Sequence, residues 1–242
     1  MASLALIRAH VESRLPGALT LYERPAPQVF PTGIAALDKQ VGGIPQGALT
    51  QVHAVPGLAS GKTALLVSLM AQVTSREHFC ALVDATDCFD PASAETAGVN
   101  LARILWVRCA ARQRLSPLEQ AFKAADILVQ NGGFGLIAVD LGNVEDKQVR
   151  KVPLATWFRF ARVVEKMPAA LVFLLPFPAA QSCAGLTLRL ECAEPLWMGA
   201  DKVSHARFLA QMRCEIEIGR SRLRKPVQSA TRPRFAATPV WA

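Results

Sequence analysis

The chain has no C-x-x-C pair among its six cysteines, and no histidine stands at ligand spacing from any of them. That argues against a zinc site and against a disulfide framework, and favours reduced core thiols in a cytoplasmic protein. Several of the cysteines sit inside apolar runs, as in Phe79-Cys80-Ala81-Leu82-Val83. No segment reads as a secretion signal, because residues 2–15 carry Arg8, Glu12 and Arg14 among their apolar positions. No apolar run is long enough to span a membrane; the longest, 169–180, is broken by Pro176 and Pro178. Acidic residues are scarce at one end. Between 202 and 242, nine lysines and arginines face only Glu215 and Glu217, so nearly all of the net +8 lies there. Such a bias points to an acidic partner, either nucleic acid or an acidic protein face, or to a solvated tail that aids solubility.

What is present is a core. Of the 242 residues, 51% are hydrophobic, enough for one large α/β domain. Residues 2–15 read as an amphipathic helix with Leu4, Ile7, Val11 and Leu15 on one face, able to dock on its own body or on a neighbouring subunit. A linker follows, with prolines at 16, 25, 27 and 31. Strands are expected at 48–54, 79–84, 104–108, 135–141 and 169–175. Helices are expected at 61–75, 117–130 and 154–166, the last with Leu154, Trp157, Phe158, Ala161 and Val164 as its core face. Apolar strands alternating with helices imply a mostly parallel sheet flanked by helices. Runs 186–192 and 211–218 alternate polar with apolar residues, the pattern of antiparallel edge strands near the C-terminus. Residues 226–242 hold three prolines and little periodicity, and read as a flexible basic tail with Phe235 and Trp241 as anchors for a partner. The expected organisation is a helix and linker at 1–29, a core at 30–225 and the tail at 226–242.

Between the first strand and first helix of the core stands Pro56-Gly57-Leu58-Ala59-Ser60-Gly61-Lys62-Thr63. This is the strand–loop–helix context of a phosphate loop. Backbone N–H groups at the helix start and the helix dipole favour an anion. Lys62 would reach the terminal phosphates of ATP and the Thr63 hydroxyl would ligate Mg²⁺. The pattern calls for glycine at 56, where proline fixes φ and removes a donor. Leu136-Ile137-Ala138-Val139-Asp140 is an apolar strand ending in a carboxylate, which sets Asp140 to hold Mg²⁺ through water. The candidate nucleotide contacts are Pro56, Gly57, Ser60, Gly61, Lys62, Thr63 and Asp140. The alternative is a loop that keeps its shape but binds no nucleotide.

Several motifs follow one another in an order that resembles the core of the RecA recombinases. They are Phe30-Pro31-Thr32-Gly33-Ile34-Ala35-Ala36-Leu37-Asp38, Gly42-Gly43-Ile44-Pro45-Gln46-Gly47, the phosphate loop, Val83-Asp84-Ala85-Thr86-Asp87-Cys88-Phe89-Asp90-Pro91, and Arg220-Ser221-Arg222-Leu223-Arg224-Lys225-Pro226. Within that superfamily, Ile104-Leu105-Trp106-Val107-Arg108-Cys109 and Val152-Pro153-Leu154-Ala155-Thr156-Trp157-Phe158-Arg159 are more similar to the ImuA group, RecA-like accessories of bacterial mutagenesis cassettes. The resemblance implies a RecA-like phosphate-loop fold and a role in error-prone translesion synthesis during the SOS response. Its implied partners are an ImuB-like inactive Y-family polymerase relative, an error-prone C-family polymerase, a RecA filament and single-stranded DNA, with no membrane.

The same resemblance locates departures. Thr86 stands where RecA carries the glutamate that orients the attacking water, and loss of a general base costs about 10²–10⁴ in rate. Pro176 falls where a glutamine senses the γ-phosphate. Asp90 matches an aspartate that contacts adenine, with Ala94 at the place of a neighbouring tyrosine. Arg220 and Arg222 match lysines that complete a neighbouring subunit's ATP site. The two DNA loops would be 142–153, with Lys147, Arg150 and Lys151, and 176–185, which has no lysine or arginine. Arg224, Lys225, Arg232 and Arg234 complete the candidate DNA or partner contacts. The resemblance thus implies a weak or degenerate site for ATP and Mg²⁺ without efficient ATPase activity. The alternative is an ATP-dependent recombinase on single-stranded DNA.

Overall fold

The computed structural model describes residues 4–15, 28–54, 60–109, 114–199, 208–221 and 232–238. In chain order the elements are α1 (Leu4–Arg14), β1 (Val29–Phe30), α2 (Ala35–Val41), β2 (Ile44–Pro45), β3 (Ala48–Ala54), α3 (Lys62–Thr74), β4 (Cys80–Asp84), α4 (Pro91–Thr96) and β5 (Ile104–Arg108). Then come α5 (Pro117–Asn131), β6 (Leu136–Asp140), α6 (Asp146–Arg150), α7 (Leu154–Val164), β7 (Ala170–Leu175), β8 (Leu186–Met198), β9 (Phe208–Ser221) and β10 (Arg234–Ala237).

Eight strands form one sheet in the order β10-β9-β8-β3-β7-β6-β4-β5. Every pairing from β8 to β5 is parallel, while β9 and β10 run antiparallel. The sequence pattern behind this is plain. β4 and β7 are buried along their whole length, as strands covered on both faces must be. One face packs Trp157, Phe160 and Phe173 around Phe122 beneath α5 and α7. The other packs Leu65, Leu69 and Met70 of α3 against Val52, Leu82 and Ala138. Each such side chain contributes about 1.5–3 kcal/mol on burial. Helix α5 starts at a capping box between Ser116 and Glu119, with Pro117 at its first turn, and stops at Gly132.

Three expectations are corrected. β8 is not an antiparallel edge strand, since it joins the parallel core through β3 and only its other side faces β9. On α7 the buried set is Trp157, Phe160 and Val164, while Leu154 and Phe158 are exposed. The i, i+3, i+7 spacing of the former fits one face of a 3.6-residue helix better. The flexible tail holds a strand: Arg234–Ala237 pairs with β9, and Phe235 packs on its own domain instead of waiting for a partner. Trp241 lies outside the described residues. Ile7 of α1 and Leu15 just beyond it are exposed. No described helix is long and apolar enough to cross a membrane.

Candidate nucleotide site

β3 delivers the chain into the phosphate loop at the centre of the sheet. Residues 55–59 lie outside the described residues, and with them Pro56 and Gly57. Ser60 is buried. Gly61 takes a left-handed φ of +78° as the N-cap of α3. The Leu65 N–H closes the first helical bond on the Gly61 carbonyl at 2.9 Å. By helix geometry the amides ahead of it have no partner within the helix, an arrangement that favours an anion.

Lys62 is half-buried, and its Nζ donates to the carbonyls of Gly142 and Leu175, both at 3.4 Å. Asp140 ends β6, and its Oδ1 accepts the Gly142 N–H at 2.8 Å. A β-carbon on Gly142 would stand 3.1 Å from both Asp140 Oδ1 and Lys62 Nζ, so ammonium and carboxylate converge on one glycine that leaves them room. Burial pushes the Asp140 carboxyl up, with the nearby Asp84 adding to it against the Gly142 N–H and Lys62. Burial likewise pushes the Lys62 ammonium down, against the pull of Asp140. Thr63 follows Lys62 in the first turn of α3 and is exposed. A cation, a carboxylate and a hydroxyl at one sheet rim are a donor set that fits a phosphate and its Mg²⁺.

The hydrolytic side differs. Thr86 is half-buried, and its hydroxyl donates to Cys88 Sγ at 3.3 Å. Both neighbouring carboxylates are engaged by other groups. Asp84 is buried and accepts N–H bonds from Thr86 (3.2 Å) and Phe89 (2.9 Å), one on each oxygen. Asp87 holds Arg108 through two bonds of 2.6 and 2.5 Å. Asp90 caps α4, accepting from the N–H groups of Ala92 and Ser93 and from the Ser93 hydroxyl. Ala94, at the place of the tyrosine, is fully buried. Pro176 is buried directly after the Leu175 carbonyl that Lys62 contacts.

The two presumed loops are packed down. Residues 142–153 contain α6, with Val144 and Val149 buried. Arg150 stacks over Phe177 at 4.3 Å and lies 4.0 Å from Asp146, so it ties this loop to the next. Lys147 and Lys151 are exposed. Residues 176–185 are held by Gln51, whose Oε1 accepts from Ala180 N–H (3.1 Å) and whose Nε2 donates to Thr187 (2.9 Å). Gln51 escaped the sequence reading; its signal is a lone amide inside an apolar strand.

The C-terminal cations are partly spent. Arg232 pairs with Glu217 (3.3 Å) and Glu191 (3.8 Å), Arg234 with Glu215 (2.6 Å), and Arg213 with Glu194 (3.0 Å). Arg232 and Arg234, read from the sequence as DNA or partner contacts, thus stand exposed but paired to glutamates. Arg220 is exposed at the end of β9. Arg222, Arg224 and Lys225 lie outside the described residues.

A parallel sheet with helices on both faces, and a lysine opening the helix that follows its central strand, defines a phosphate-loop α/β domain. The RecA N-terminal domain description matches residues 18–145, just over half of the chain, and the chain belongs to that family. It is 36% identical over 114 residues to Protein RecA of Methylococcus capsulatus, covering 46% of this chain and 30% of that protein. Protein RecA of Desulfotalea psychrophila is 30% identical over 162 residues, covering 60% and 43%. Protein RecA of Paramagnetospirillum magneticum is 35% identical over 115 residues, covering 47% and 30%. The chain therefore spans less than half the length of these relatives.

Proposed function

We propose that this chain is a RecA-like accessory protein of error-prone translesion synthesis, of the ImuA kind, in which nucleotide is a weakly turned-over ligand. The observation that carries the reading is the mismatch within one site. Lys62 and Asp140 converge as a phosphate site requires, while Thr86 stands at the hydrolytic position and Asp84 and Asp87 are both committed elsewhere. Lys62 would hold the β/γ-phosphates, and Thr63 and Asp140 would ligate Mg²⁺, directly or through water. Bound Mg²⁺ would neutralise phosphate charge; the chain's own residues bind and orient but offer no base for water. The partners proposed are an ImuB-like polymerase relative, an error-prone C-family polymerase, a RecA filament and single-stranded DNA.

Steady-state phosphate release with Mg·ATP and single-stranded DNA tests the enzymatic half. Slow or no release, beside measurable ATP binding that Lys62→Ala weakens, is expected. Recombinase-like turnover lost in Lys62→Ala, with ATP-dependent filaments on DNA in the electron microscope, would replace this reading with that of an active recombinase. Pull-down from DNA-damaged cells tests the partners.

A further inference from the structure

We infer that Phe235 is a positioning residue for the phosphate loop, and that β10 is a clasp whose seating sets how well the loop holds nucleotide. The inference rests on the nucleotide-binding reading above. Gly61 is buried. A β-carbon built there would lie 2.6 Å from Cys214 Sγ and 2.9 Å from Phe235 Cζ. Those two side chains therefore fill the space beside the last glycine of the loop. They are direct cross-strand partners in the β9–β10 ladder, so one hairpin presents both. Cys214 is fully buried, which pushes its thiol up to about 11 and keeps it a neutral, apolar wall. Lys62 and Thr63 follow Gly61 without a break, so drift of the glycine carries ammonium and hydroxyl with it.

The clasp is thin. β10 has four residues, stands at the end of the sheet order and, among the described strands, pairs with β9 alone. Beyond that ladder it is held by the Ile216 N–H bond to the Pro233 carbonyl (2.9 Å), by Phe235 packing on the α3-side core, by contact with α2, and by the ion pairs of Arg232 and Arg234 with Glu191, Glu217 and Glu215. Short edge strands held by screened ion pairs open at low cost. This gives Arg232 and Arg234 a purpose: they fasten the strand that seats the loop.

Two measurements test it on the full chain: titration with a fluorescent ADP in Mg²⁺, and hydrogen exchange at residues 60–66 without nucleotide. Phe235→Ala is expected to weaken ADP by about ten-fold, as when a competent loop is populated about a tenth of the time. It should also speed exchange at 60–66 while leaving β6 and β7 protected. Phe235→Leu should recover most of both, and Arg232→Ala with Arg234→Ala should give a smaller loss in the same direction. Should Phe235→Ala fail to fold, the arginine double variant carries both readouts. Unchanged affinity and unchanged exchange in folded variants would overturn the clasp. A wild-type chain that binds no ADP would overturn the nucleotide reading instead, and exchange at 60–66 would still decide whether β10 seats the loop.

Discussion

At the scale of single residues, the site is a compromise between phosphate chemistry and fold stability. Asp140 is a half-buried carboxylate near Asp84, and desolvation raises its pKa. An acid whose folded pKa lies above its unfolded value contributes stability at low pH that is lost as pH rises through the folded pKa. Asp140→Asn removes that loss and still accepts the Gly142 N–H. It is expected to raise stability at pH 7 by about 1 kcal/mol, or roughly 2–4 °C in Tm for a chain of this size, while weakening Mg·ATP binding. Calorimetry and titration check the two halves, and a lowered Tm would contradict the account. Lys62→Ala is expected to weaken nucleotide by on the order of 2 kcal/mol, roughly 30-fold in Kd, with little change in Tm.

At the scale of elements, β3 carries more than its apolar pattern implies. Its Gln51 pins the loop after β7, and its His53 is near enough to Lys62 to feel its charge. Burial holds the His53 imidazole below its usual 6.5, with Arg189 and Lys62 adding to the effect against Glu217. A histidine depressed in the folded state contributes stability above pH 6.5 that is lost as pH falls through the lowered value. Urea titrations of wild type and His53→Gln should therefore diverge below about pH 6.5, the variant losing less; parallel curves would rule His53 out as the cause. Helix α5 depends on its capping box. Ser116→Ala is expected to cost about 1 kcal/mol in the same assay.

For the whole molecule, the question is where the excess positive charge acts. Lys147, Lys151 and Arg220 are exposed, whereas Arg213, Arg232 and Arg234 are tied to glutamates. If single-stranded DNA binds, Lys147→Ala with Lys151→Ala should reduce the slope of log affinity against log salt by about 0.7 per lysine that contacts phosphate. Arg232→Ala with Arg234→Ala should leave the slope unchanged. A loss of slope confined to the arginine pair would return those residues to the DNA surface. No described helix is long and apolar enough to cross a membrane, and Cys80, Cys109, Cys183 and Cys214 are buried in the core.

The sequence alone determined the parallel sheet, because apolar strands alternating with helices can hide both faces of such a sheet and little else. It also put Lys62 and Asp140 at the same place, since strand ends and a loop-to-helix junction fall on one rim of that topology. Side-chain partners across long separations were beyond it. That Gln51 reaches Ala180 and Thr187, that Arg232 and Arg234 are fastened to glutamates, and that Phe235 leans on Gly61 depend on which strands lie side by side. A four-residue edge strand such as β10 has too few alternations to show a period, and only the ladder offered by β9 makes it a strand.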